Sequence, residues 1–363
     1  MKALVLAGGY ATRLRPITYV IPKLLFPLVG RPIIYWTLDK LEGFQVNEVV
    51  FAVNYLANSL RATVGDRYHG VRVRYSLEDS PLGTGGPIKL AAQTIRLDDP
   101  FIVMNGDIIA DIDLERMLMH HQQTEALVTD ALYEVKDPSR FGSAQLDETG
   151  RITRFIEKPS RGQALSYLVN AGIYLIEPEV LKMIPSKRRV SLEREIFPIL
   201  AKERKLAGFR FSGHWFDIGS IADYREANFA LLEKCNENCL RPQRHVARNV
   251  IVEPPVYLGK RVVIEANATI GPRFLLGNNG TVKRLARVSE SILFDDVTVG
   301  ERSQVSGCVI GSKVNIGRDV KIGSGSIISP NVQISDNVRI GKNTIIHPYK
   351  EINVNVESGA NIM

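Results

Sequence analysis

A glycine pair and two arginines lie close together near the start of the sequence, in the segment Ala7-Gly8-Gly9-Tyr10-Ala11-Thr12-Arg13-Leu14-Arg15-Pro16. Glycines that follow a buried strand let the backbone approach a ligand closely, and successive amides in such a turn can cradle phosphate oxygens. Arg13 and Arg15 would add charge-assisted hydrogen bonds. A glycine pair alone is typical of an ordinary tight turn, but two arginines in the same loop favour phosphate binding.

A further cation, Lys23, follows in the otherwise apolar stretch Ile21-Pro22-Lys23-Leu24-Leu25-Phe26-Pro27-Leu28. Its ammonium group could serve the same anion. It could equally belong to a surface lysine whose stem packs on apolar neighbours while the charge stays in water. The residue types alone leave both interpretations open.

Over residues 1 to about 230, short apolar runs alternate with longer amphipathic stretches, which predicts the strands and helices that must position these residues. This alternation predicts βαβ units and a mostly parallel sheet, hence a Rossmann-like α/β domain. The predicted strands are Lys2–Ala7, Glu48–Val53, Val71–Ser76, Phe101–Met104, Ala126–Val135, Ile152–Glu157, Ala171–Ile176 and Leu206–Phe211. The predicted helices are Ile33–Leu41, Ser59–Arg67 and Gly86–Ala92.

From about Val246 onward, apolar residues recur at every sixth position. A period of six fits neither an α-helix nor an ordinary strand, but it fits a parallel β-helix of hexapeptide turns whose inward aliphatics stack into one core. The segment Pro272–Arg287 is predicted to be an irregular insert. The predicted inward residues are Val252, Leu258, Ile264, Ile270, Leu293, Val299, Val305, Ile310, Ile316, Ile322, Ile328, Ile334, Ile340 and Ile346.

A helix over Ser220–Cys239, ended by Arg241-Pro242, is predicted to join the two halves. We therefore predict an α/β domain over residues 1–230, a linker helix region over 231–245 and a repeat domain over 246–363. Cys235 and Cys239 lie on this helix, and with Cys308 they are expected to be ordinary free thiols, because no further metal ligands are near in sequence.

Composition limits the partners of the chain. The 363 residues carry a formal net charge of +7, but the Lys and Arg residues are scattered, which favours a phosphate site and surface charge over a nucleic-acid partner. No apolar run reaches the roughly 18 residues of a membrane span, so no membrane partner is expected. The N-terminus lacks the features of a signal peptide, which predicts a cytoplasmic location.

The pattern Gly-Gly-x-x-Thr-Arg-Leu-Arg-Pro followed by Pro-Lys resembles the signature of the sugar-1-phosphate nucleotidyltransferases, or nucleotide-sugar pyrophosphorylases. Further matches follow in the order typical of that family: Pro81-Leu82-Gly83-Thr84-Gly85-Gly86-Pro87, Asn105-Gly106-Asp107, Phe155-Ile156-Glu157-Lys158-Pro159, Asn170-Ala171-Gly172-Ile173-Tyr174 and Trp215-Phe216-Asp217-Ile218-Gly219. The resemblance spans essentially the whole chain. It implies a nucleotidyltransferase domain with a mixed, mostly parallel sheet, followed by a left-handed β-helix.

Within this family, the Pro-Leu-Gly-Thr-x-Gly-Pro segment, Glu195-Ile196-Phe197-Pro198 and the final Ile362-Met363 resemble the members that join GTP to mannose 1-phosphate. The resemblance implies that GDP-mannose and pyrophosphate are the products. Two alternatives stay open: uridylyl or thymidylyl transfer to glucose 1-phosphate, and a catalytically weak homologue that binds nucleotide sugars and regulates a partner. The groups expected to face the base are mostly backbone, so the side chains say little about it.

The resemblance also assigns roles to charged residues. Arg13 would stabilise the departing pyrophosphate, Lys23 would neutralise the α-phosphate, and Lys158 would hold the phosphate of the sugar. Asp107 and Asp217 would hold one Mg²⁺ between phosphate oxygens. Asp107 follows a predicted strand, where open α/β sheets place ligands, although a helix N-cap is the other role open to it.

Two binding sets follow from the same resemblance. The nucleotide is expected to contact Leu6, Ala7, Gly8, Gly9, Thr12, Arg13, Leu82, Gly83, Thr84, Asn105 and Gly106. The sugar phosphate is expected to contact Gly142, Glu157, Lys158, Asn170 and Gly172. A carboxylate and an amide suit hydrogen bonds to sugar hydroxyls.

Two residues depart from the family pattern. Ala11 stands where the family usually has glycine, so the loop must avoid positive φ there or carry strain. Leu24 replaces the second proline of Pro-Lys-Pro, which leaves Lys23 less restricted. Both departures leave room for reduced activity or an altered substrate.

The repeat domain has a second possible role, because hexapeptide β-helices often carry acyltransferases. That activity needs a catalytic histidine on a coil, and His245 and His347 lie only at the ends of the repeats, which favours surface or capping roles. We expect the β-helix to mediate assembly into a homo-oligomer instead.

Overall fold

The computed structural model describes residues 1–54, 57–160, 162–234 and 244–363. They form two compact units: Met1–Tyr10 with Ile34–Asp217, and Ala11–Ile33 with Ile218–Met363. This division differs from the predicted limits at 230 and 245, because residues 11–33 and the helix after residue 220 pack with the C-terminal repeats. Cys235, Cys239 and the predicted helix end at Arg241-Pro242 lie outside the described residues.

The first unit is a layered α/β structure around a ten-stranded sheet. Its strands are β1 Lys2–Leu6, β2 Glu48–Val53, β3 Arg67–Tyr68, β4 Val71–Leu77, β5 Phe101–Asn105, β6 Ile108–Ala110, β7 Val128–Glu134, β8 Gly142–Leu146, β9 Ile152–Glu157, β10 Leu168–Ile176, β11 Leu206–Arg210 and β12 Trp215–Asp217. Its helices are α1 Ile33–Gly43, α2 Ala57–Val64, α3 Gly85–Ala91, α4 Leu114–Thr124, α5 Val180–Met183, a π-helical turn Leu192–Ile196 and α6 Phe197–Lys202, with a 3₁₀ turn Pro138–Arg140.

The sheet order is β9-β8-β10-β5-β1-β2-β4-β3, with β7 paired to β10 and β11 paired to β7. The central strands β5, β1, β2 and β4 run parallel, which confirms the predicted mixed, mostly parallel sheet. Every residue of β2 is buried, as expected for a strand covered on both faces. The predicted strands Glu48–Val53 and Ile152–Glu157 have the predicted limits.

The helix predicted over Ser59–Arg67 is wrong at its end. The helix α2 stops at Val64, and Arg67 already belongs to β3. Gly65 has a φ of 74° and donates its N–H to the Arg61 carbonyl, which is the left-handed geometry that commonly ends a helix.

The carboxyl ends of β1 and β5 meet at one edge of the sheet. Leu6 is paired with Asn105, and the N–H of Gly106 donates to the Leu6 carbonyl at 2.9 Å. The strands β12 and β6 form a separate antiparallel pair in which Asp217 lies opposite Ile108. The Trp215 indole N–H donates to the Ala171 carbonyl at 3.0 Å, which ties β12 to β10.

The second unit contains three parallel sheets, as predicted for the β-helix. The first sheet contains Arg244–Val246, Val262–Ile264, Thr281–Val282, Thr298–Val299, Asn315–Ile316, Gln333–Ile334 and Glu351–Ile352. The second sheet contains Ile251–Val252, Thr269–Ile270, Arg287–Ser289, Gln304–Ser306, Lys321–Ile322 and Arg339–Ile340. The third sheet contains Val256–Leu258, Phe274–Leu276, Ile292–Leu293, Val309–Ile310, Ile327–Ile328, Ile345–Ile346 and Asn361–Ile362.

The predicted inward aliphatics from Leu258 to Ile346 form one continuous buried cluster. Two parts of the prediction are wrong. Val252 is 38% exposed and lies outside this cluster, because it belongs to the terminal coil. The segment Pro272–Arg287 is not an irregular insert: Leu276, Val282 and Val288 continue the inward series in regular parallel register.

The second unit also holds the helix α7 (Ile221–Lys234) and the segment of residues 11–33. That segment contains three 3₁₀ turns, Thr12–Leu14, Ile17–Tyr19 and Lys23–Leu25, and a short hairpin of Pro27–Leu28 with Arg31–Pro32. None of the helices in the described segments combines the length and apolarity needed to cross a lipid bilayer.

Candidate active site

A cleft of about 300 Å³ opens at the carboxyl-end edge of the first unit's sheet. It is lined by Leu6, Gly8, Gly9, Tyr10, Glu78, Pro81, Leu82, Gly83, Thr84, Pro87, Asn105, Asp107 and Arg189. Seven of the residues predicted to contact a nucleotide are among them: Leu6, Gly8, Gly9, Leu82, Gly83, Thr84 and Asn105. Backbone from three separate loops therefore meets here. This agrees with the strand-end rule, by which open α/β sheets bind ligands at the carboxyl ends of their strands.

Two other predicted nucleotide contacts lie beside the cleft without lining it. The N–H of Ala7 donates to the Ala52 carbonyl at 2.8 Å, and the N–H of Gly106 is already bonded to Leu6. These bonds join neighbouring strand ends, so both residues shape the edge of the sheet. Thr12 and Arg13 belong to the second unit.

Glu78 is a residue of the cleft that the sequence analysis missed. It follows β4 directly and is 8% exposed, and its carboxylate accepts the Leu82 N–H at 3.2 Å. Burial raises the pKa of this carboxyl, while the hydrogen bond from Leu82 opposes that rise. A Cβ on Gly8 would lie 2.5 Å from the Glu78 carboxylate, so glycine is required for the carboxylate to lie against this backbone. Its position at a strand end was the signal that could have identified it.

The loop that carries Leu82, Gly83 and Thr84 is fixed against a distant segment. Gly83 has a φ of 81°, and a Cβ there would lie 2.3 Å from the Val190 carbonyl oxygen. The Val190 N–H donates to the Leu82 carbonyl at 2.9 Å. This bridge places the neighbouring Arg189 at the cleft, a cation that the sequence analysis did not single out.

The hydroxyl of Thr84 is already engaged within the protein. It donates to the Glu193 carboxylate at 2.6 Å and accepts the Leu192 N–H at 2.9 Å. Glu193 also accepts the Ser191 hydroxyl at 2.6 Å. Thr84 therefore offers a ligand mainly its backbone, while its side chain holds the loop against the π-helical turn.

The two predicted metal ligands come from adjacent strands. Asp107 precedes β6 and lines the cleft, and Asp217 ends β12 directly opposite Ile108. The pairing brings both residues to one end of the two-stranded sheet. Within residues 1–54, 57–160, 162–234 and 244–363, no cluster of three or more His, Cys, Asp or Glu side chains could hold a metal by itself. Two carboxylates completed by phosphate oxygens fit Mg²⁺, which usually binds proteins in that way.

The predicted sugar-phosphate contacts form a second group in the first unit. Gly142 lies opposite Glu157 in the β8–β9 pair, and a Cβ on Gly142 would lie 2.9 Å from the Glu157 carboxylate. Lys158 lies next in the chain, with its ammonium 3.6 Å from the same carboxylate and its side chain 60% exposed. Burial and the nearby Glu193 raise the pKa of Glu157, and Lys158 opposes that rise.

Asn170 and Gly172 connect this group to the cleft. The Asn170 side-chain oxygen accepts the Gly172 N–H at 2.7 Å, and its amide donates to the Tyr174 hydroxyl at 2.9 Å. Gly172 has a φ of 74°, and a Cβ there would lie 2.5 Å from the Asn105 amide nitrogen. Since Asn105 lines the cleft, the predicted sugar group and the predicted nucleotide group adjoin each other.

The predicted cations Arg13 and Lys23 lie in the second unit. A Cβ on Gly219 would lie 2.8 Å from the Arg13 guanidinium, so this glycine leaves the room that the guanidinium occupies. Ala11 adopts the left-handed region with φ 45° and ψ 43°, so the loop carries the strained geometry instead of avoiding it. Lys23 begins a 3₁₀ turn in which Leu24 is 7% exposed, so packing restrains the position that proline usually occupies.

The chain matches known sequence families over almost its full length. Residues 2–234 match the family described as Nucleotidyl transferase, and residues 239–362 match the GMPPB C-terminal domain. The first match covers the described α/β unit and the second covers the parallel coils.

Two similar curated proteins come from a fungus and a fish. The mannose-1-phosphate guanyltransferase of Candida albicans is 36% identical over 327 residues, which cover 88% of each chain. The mannose-1-phosphate guanylyltransferase catalytic subunit beta of Danio rerio is 35% identical over 329 residues, covering 89% of each. A crystal structure of UDP-glucose pyrophosphorylase complexed with UDP-glucose superposes with a TM-score of 0.58 at 24% identity, covering 64% of this chain and 99% of that one. At that identity the structure shows a shared fold.

Proposed function

Because this chain belongs to the nucleotidyl transferase family, we propose that it transfers the guanylyl group of GTP to mannose 1-phosphate, forming GDP-mannose and pyrophosphate. The family membership and the fold support a sugar-1-phosphate nucleotidyltransferase. The names of the relatives support mannose and guanine.

The observation that carries the choice of guanine is Glu78 in the cleft. Guanine presents two N–H donors side by side, and one ionised carboxylate can accept both. Uracil and thymine present a single N–H between two carbonyls, and adenine presents a ring acceptor that a carboxylate repels. The Leu82 N–H stabilises the ionised form of Glu78 that this contact needs.

The proposed reaction is an in-line attack. An oxygen of the sugar phosphate forms a bond to the α-phosphorus of GTP, and the bond from that phosphorus to the pyrophosphate oxygen breaks. Both reactants are anionic, so positioned cations should supply most of the rate enhancement. Lys158 would hold the sugar phosphate, Lys23 the α-phosphate, and Arg13 the departing pyrophosphate.

Mg²⁺ would be held by Asp107 and Asp217 together with phosphate oxygens, and would supply neutralisation of the phosphate charge. The Glu157 carboxylate would accept hydrogen bonds from the sugar hydroxyls, and the Asn170 amide N–H would donate to them. Glu157 lies next to Lys158, so one short segment would hold both the sugar ring and its phosphate.

The first test is pyrophosphate release with Mg²⁺ for each of four nucleoside triphosphates against mannose, glucose, galactose and N-acetylglucosamine 1-phosphates. We expect a strong signal for GTP with mannose 1-phosphate, abolished in Asp107→Ala. A strong signal with UTP or dTTP and glucose 1-phosphate would replace the proposed substrates. No signal from folded protein would overturn the activity and favour a regulatory homologue that binds nucleotide sugars.

A separate variant tests whether Glu78 recognises the guanine base. Glu78→Gln should lower kcat/KM for GTP by about 30-fold, because one charged acceptor of two hydrogen bonds is lost. Asp79→Asn is the matched control, since Asp79 is an exposed neighbour that does not line the cleft. If Glu78→Gln keeps the preference for GTP over UTP, the base is recognised by the backbone of the cleft instead.

The proposal extends to a cytoplasmic enzyme that is a homo-oligomer, assembled through the β-helix, with neither nucleic acid nor membrane as a partner. Flat coil faces and terminal coils that need covering support assembly. Ile251, in the terminal coil, is 58% exposed. Light scattering that gives a monomer at working concentration would contradict this part.

A further inference from the structure

One outer face of the β-helix is apolar, unlike the other two. In each strand of the third sheet, the residue beside the inward aliphatic points outward, because side chains alternate along a strand. In the first six strands these outward residues are apolar and pair in register along the sheet, before Asn361 ends the series: Tyr257, Leu275, Ile292, Val309, Ile327 and Ile345. They lie outside the interior core cluster, yet the first four are at most 6% exposed. The matching positions of the first sheet include Thr298, Asn315 and Gln333, which are polar.

The segment of residues 11–33 contacts the β-helix beside both the first and the later strands of this face. At the first coil, Gly30 lies so close to Tyr257 that a Cβ would be 2.0 Å from its ring. At the last coils, the rings of Tyr19 and His347 are 5.8 Å apart. The segment therefore spans the coils that run from residue 257 to residue 347.

The middle of the segment is fixed by an aromatic cluster of Phe26, Tyr224 and Phe294. Phe26 meets Phe294 edge-on at 5.5 Å and meets Tyr224 edge-on at 5.5 Å. Phe294 is 1% exposed although it lies outside the interior core cluster. Edge-to-face aromatic pairs of this kind stabilise beyond their buried area.

The helix α7 adds polar restraints to the same segment. The side-chain oxygen of Asn228, which is fully buried, accepts the Val29 N–H at 2.9 Å. The Tyr224 hydroxyl donates to the Pro27 carbonyl. These bonds fix the hairpin turn three residues after Phe26, so backbone and side chain are both restrained.

We propose that the apolar outer face of the third sheet positions the segment that carries Arg13 and Lys23, which makes Tyr257, Phe294 and His347 positioning residues for the transfer reaction. Lys23 lies between two anchors, Phe26 on the third coil and Tyr19 at the last coils. The β-helix then contributes to catalysis within a single chain, whatever its role in assembly. This inference rests on the proposed function.

The test compares two buried phenylalanines of the β-helix in the full-length protein. Phe294→Leu should lower kcat by about tenfold, because small displacements of a positioned group cost that much or more. The dissociation constant for GTP, measured by calorimetry without sugar phosphate, should rise by a smaller factor than kcat falls, because the base would contact the cleft of the first unit while Arg13 and Lys23 act mainly on charge that develops in the transition state. Phe274→Leu is the matched control, since Phe274 is fully buried in the interior cluster; it should lower the melting temperature and leave kcat within about twofold.

A second readout does not depend on activity. Limited trypsin digestion should cleave after Arg13 or Lys23 several-fold faster in Phe294→Leu than in Phe274→Leu, at equal fractions of folded protein. His347→Ala, which removes the half-buried partner of the exposed Tyr19 ring, should increase the same cleavage more weakly. Equal cleavage and equal kcat in the two phenylalanine variants would overturn the positioning role. If the wild type releases no pyrophosphate but the digestion differs as expected, the proposed function fails and the positioning stands.

Discussion

The two parts of the molecule that carry the proposed chemistry are held by different forces. The loops of the cleft are fixed largely by close approach of backbone, with the Thr84 side chain as a further restraint: Gly8 and Gly83 lie where a Cβ would collide with the Glu78 carboxylate or with the Val190 carbonyl. The segment with Arg13 and Lys23 is fixed by side chains, chiefly Phe26 between Tyr224 and Phe294. The first arrangement tolerates few substitutions, whereas the second can be loosened one ring at a time. Ligand binding and rate should therefore be separable by mutation.

The largest effect that would separate them is expected for Lys23→Ala. It should lower kcat by about 100-fold, because one preorganised cation at a developing charge contributes on that order. GTP affinity should fall by a smaller factor, since Lys23 would contact only the α-phosphate of bound GTP and would act mainly on the charge that develops there in the transition state. Steady-state kinetics and calorimetry on one preparation check both values. An equal loss in kcat and in GTP affinity would erase the separation.

A fall in pH should weaken ligand binding by the first unit. Burial raises the pKa of Glu78 and Glu157, so both begin to protonate at a higher pH than an ordinary glutamate. Protonation removes the acceptors for the base and the sugar, so affinity for GDP-mannose should weaken as the pH falls toward these raised values, by up to about tenfold per pH unit below them. Calorimetry from pH 7.5 to 5 measures this.

Trypsin cleavage of residues 11–33 provides the contrast across the same pH range. The cluster of Phe26, Tyr224 and Phe294 contains no histidine or carboxylate, so cleavage after Lys23 should stay constant once corrected for trypsin's own pH dependence. An affinity that falls with pH equally in wild type and in Glu78→Gln would show that protonation of Glu78 does not govern ligand binding.

The smallest effect is expected for Ala11→Gly. Glycine relieves the left-handed geometry at position 11 and so stabilises the fold, but it also adds freedom to the unfolded chain, which offsets part of that gain. The free energy of unfolding should therefore increase by about 0.5 kcal/mol. Urea denaturation measures this. Gln45→Gly is the matched control, because Gln45 has a similar φ of 58° in the first unit. Activity should change, if at all, only in Ala11→Gly.

The repeat domain was the most predictable part of the chain because its signal is periodic. The inward aliphatics from Leu258 to Ile346 follow directly from a six-residue spacing. The same spacing is present in Leu276, Val282 and Val288, which lie in or directly after the segment that was predicted to be an irregular insert. Val252 obeyed the period yet lies exposed, since a terminal coil has a neighbour on one side only.

The candidate site was predictable where its residues form short segments and unpredictable where they meet across the chain. Gly8, Asn105 and Asp107 follow predicted strands, so the strand-end rule brings them together. Arg189 reaches the cleft only through the Val190–Leu82 bridge, which joins residues more than 100 positions apart. The packing of Phe26 on Phe294 likewise leaves no local or periodic trace in the sequence.

The length of the segment on the third sheet has a consequence for how this protein can evolve. Coils of a repeat are easily duplicated or deleted, and each adds or removes a strand spacing of about 4.8 Å. Here residues 11–33, a segment of fixed length, contact Tyr257, Phe294 and His347. The segment therefore sets how many coils can lie between its first and its last contact. A coil duplicated between Tyr257 and His347 would move one of these contacts out of reach of the segment, whereas a coil duplicated after His347 would leave all three contacts in place. The number of coils between Tyr257 and His347 is therefore constrained in evolution, whereas the number of coils after His347 can change.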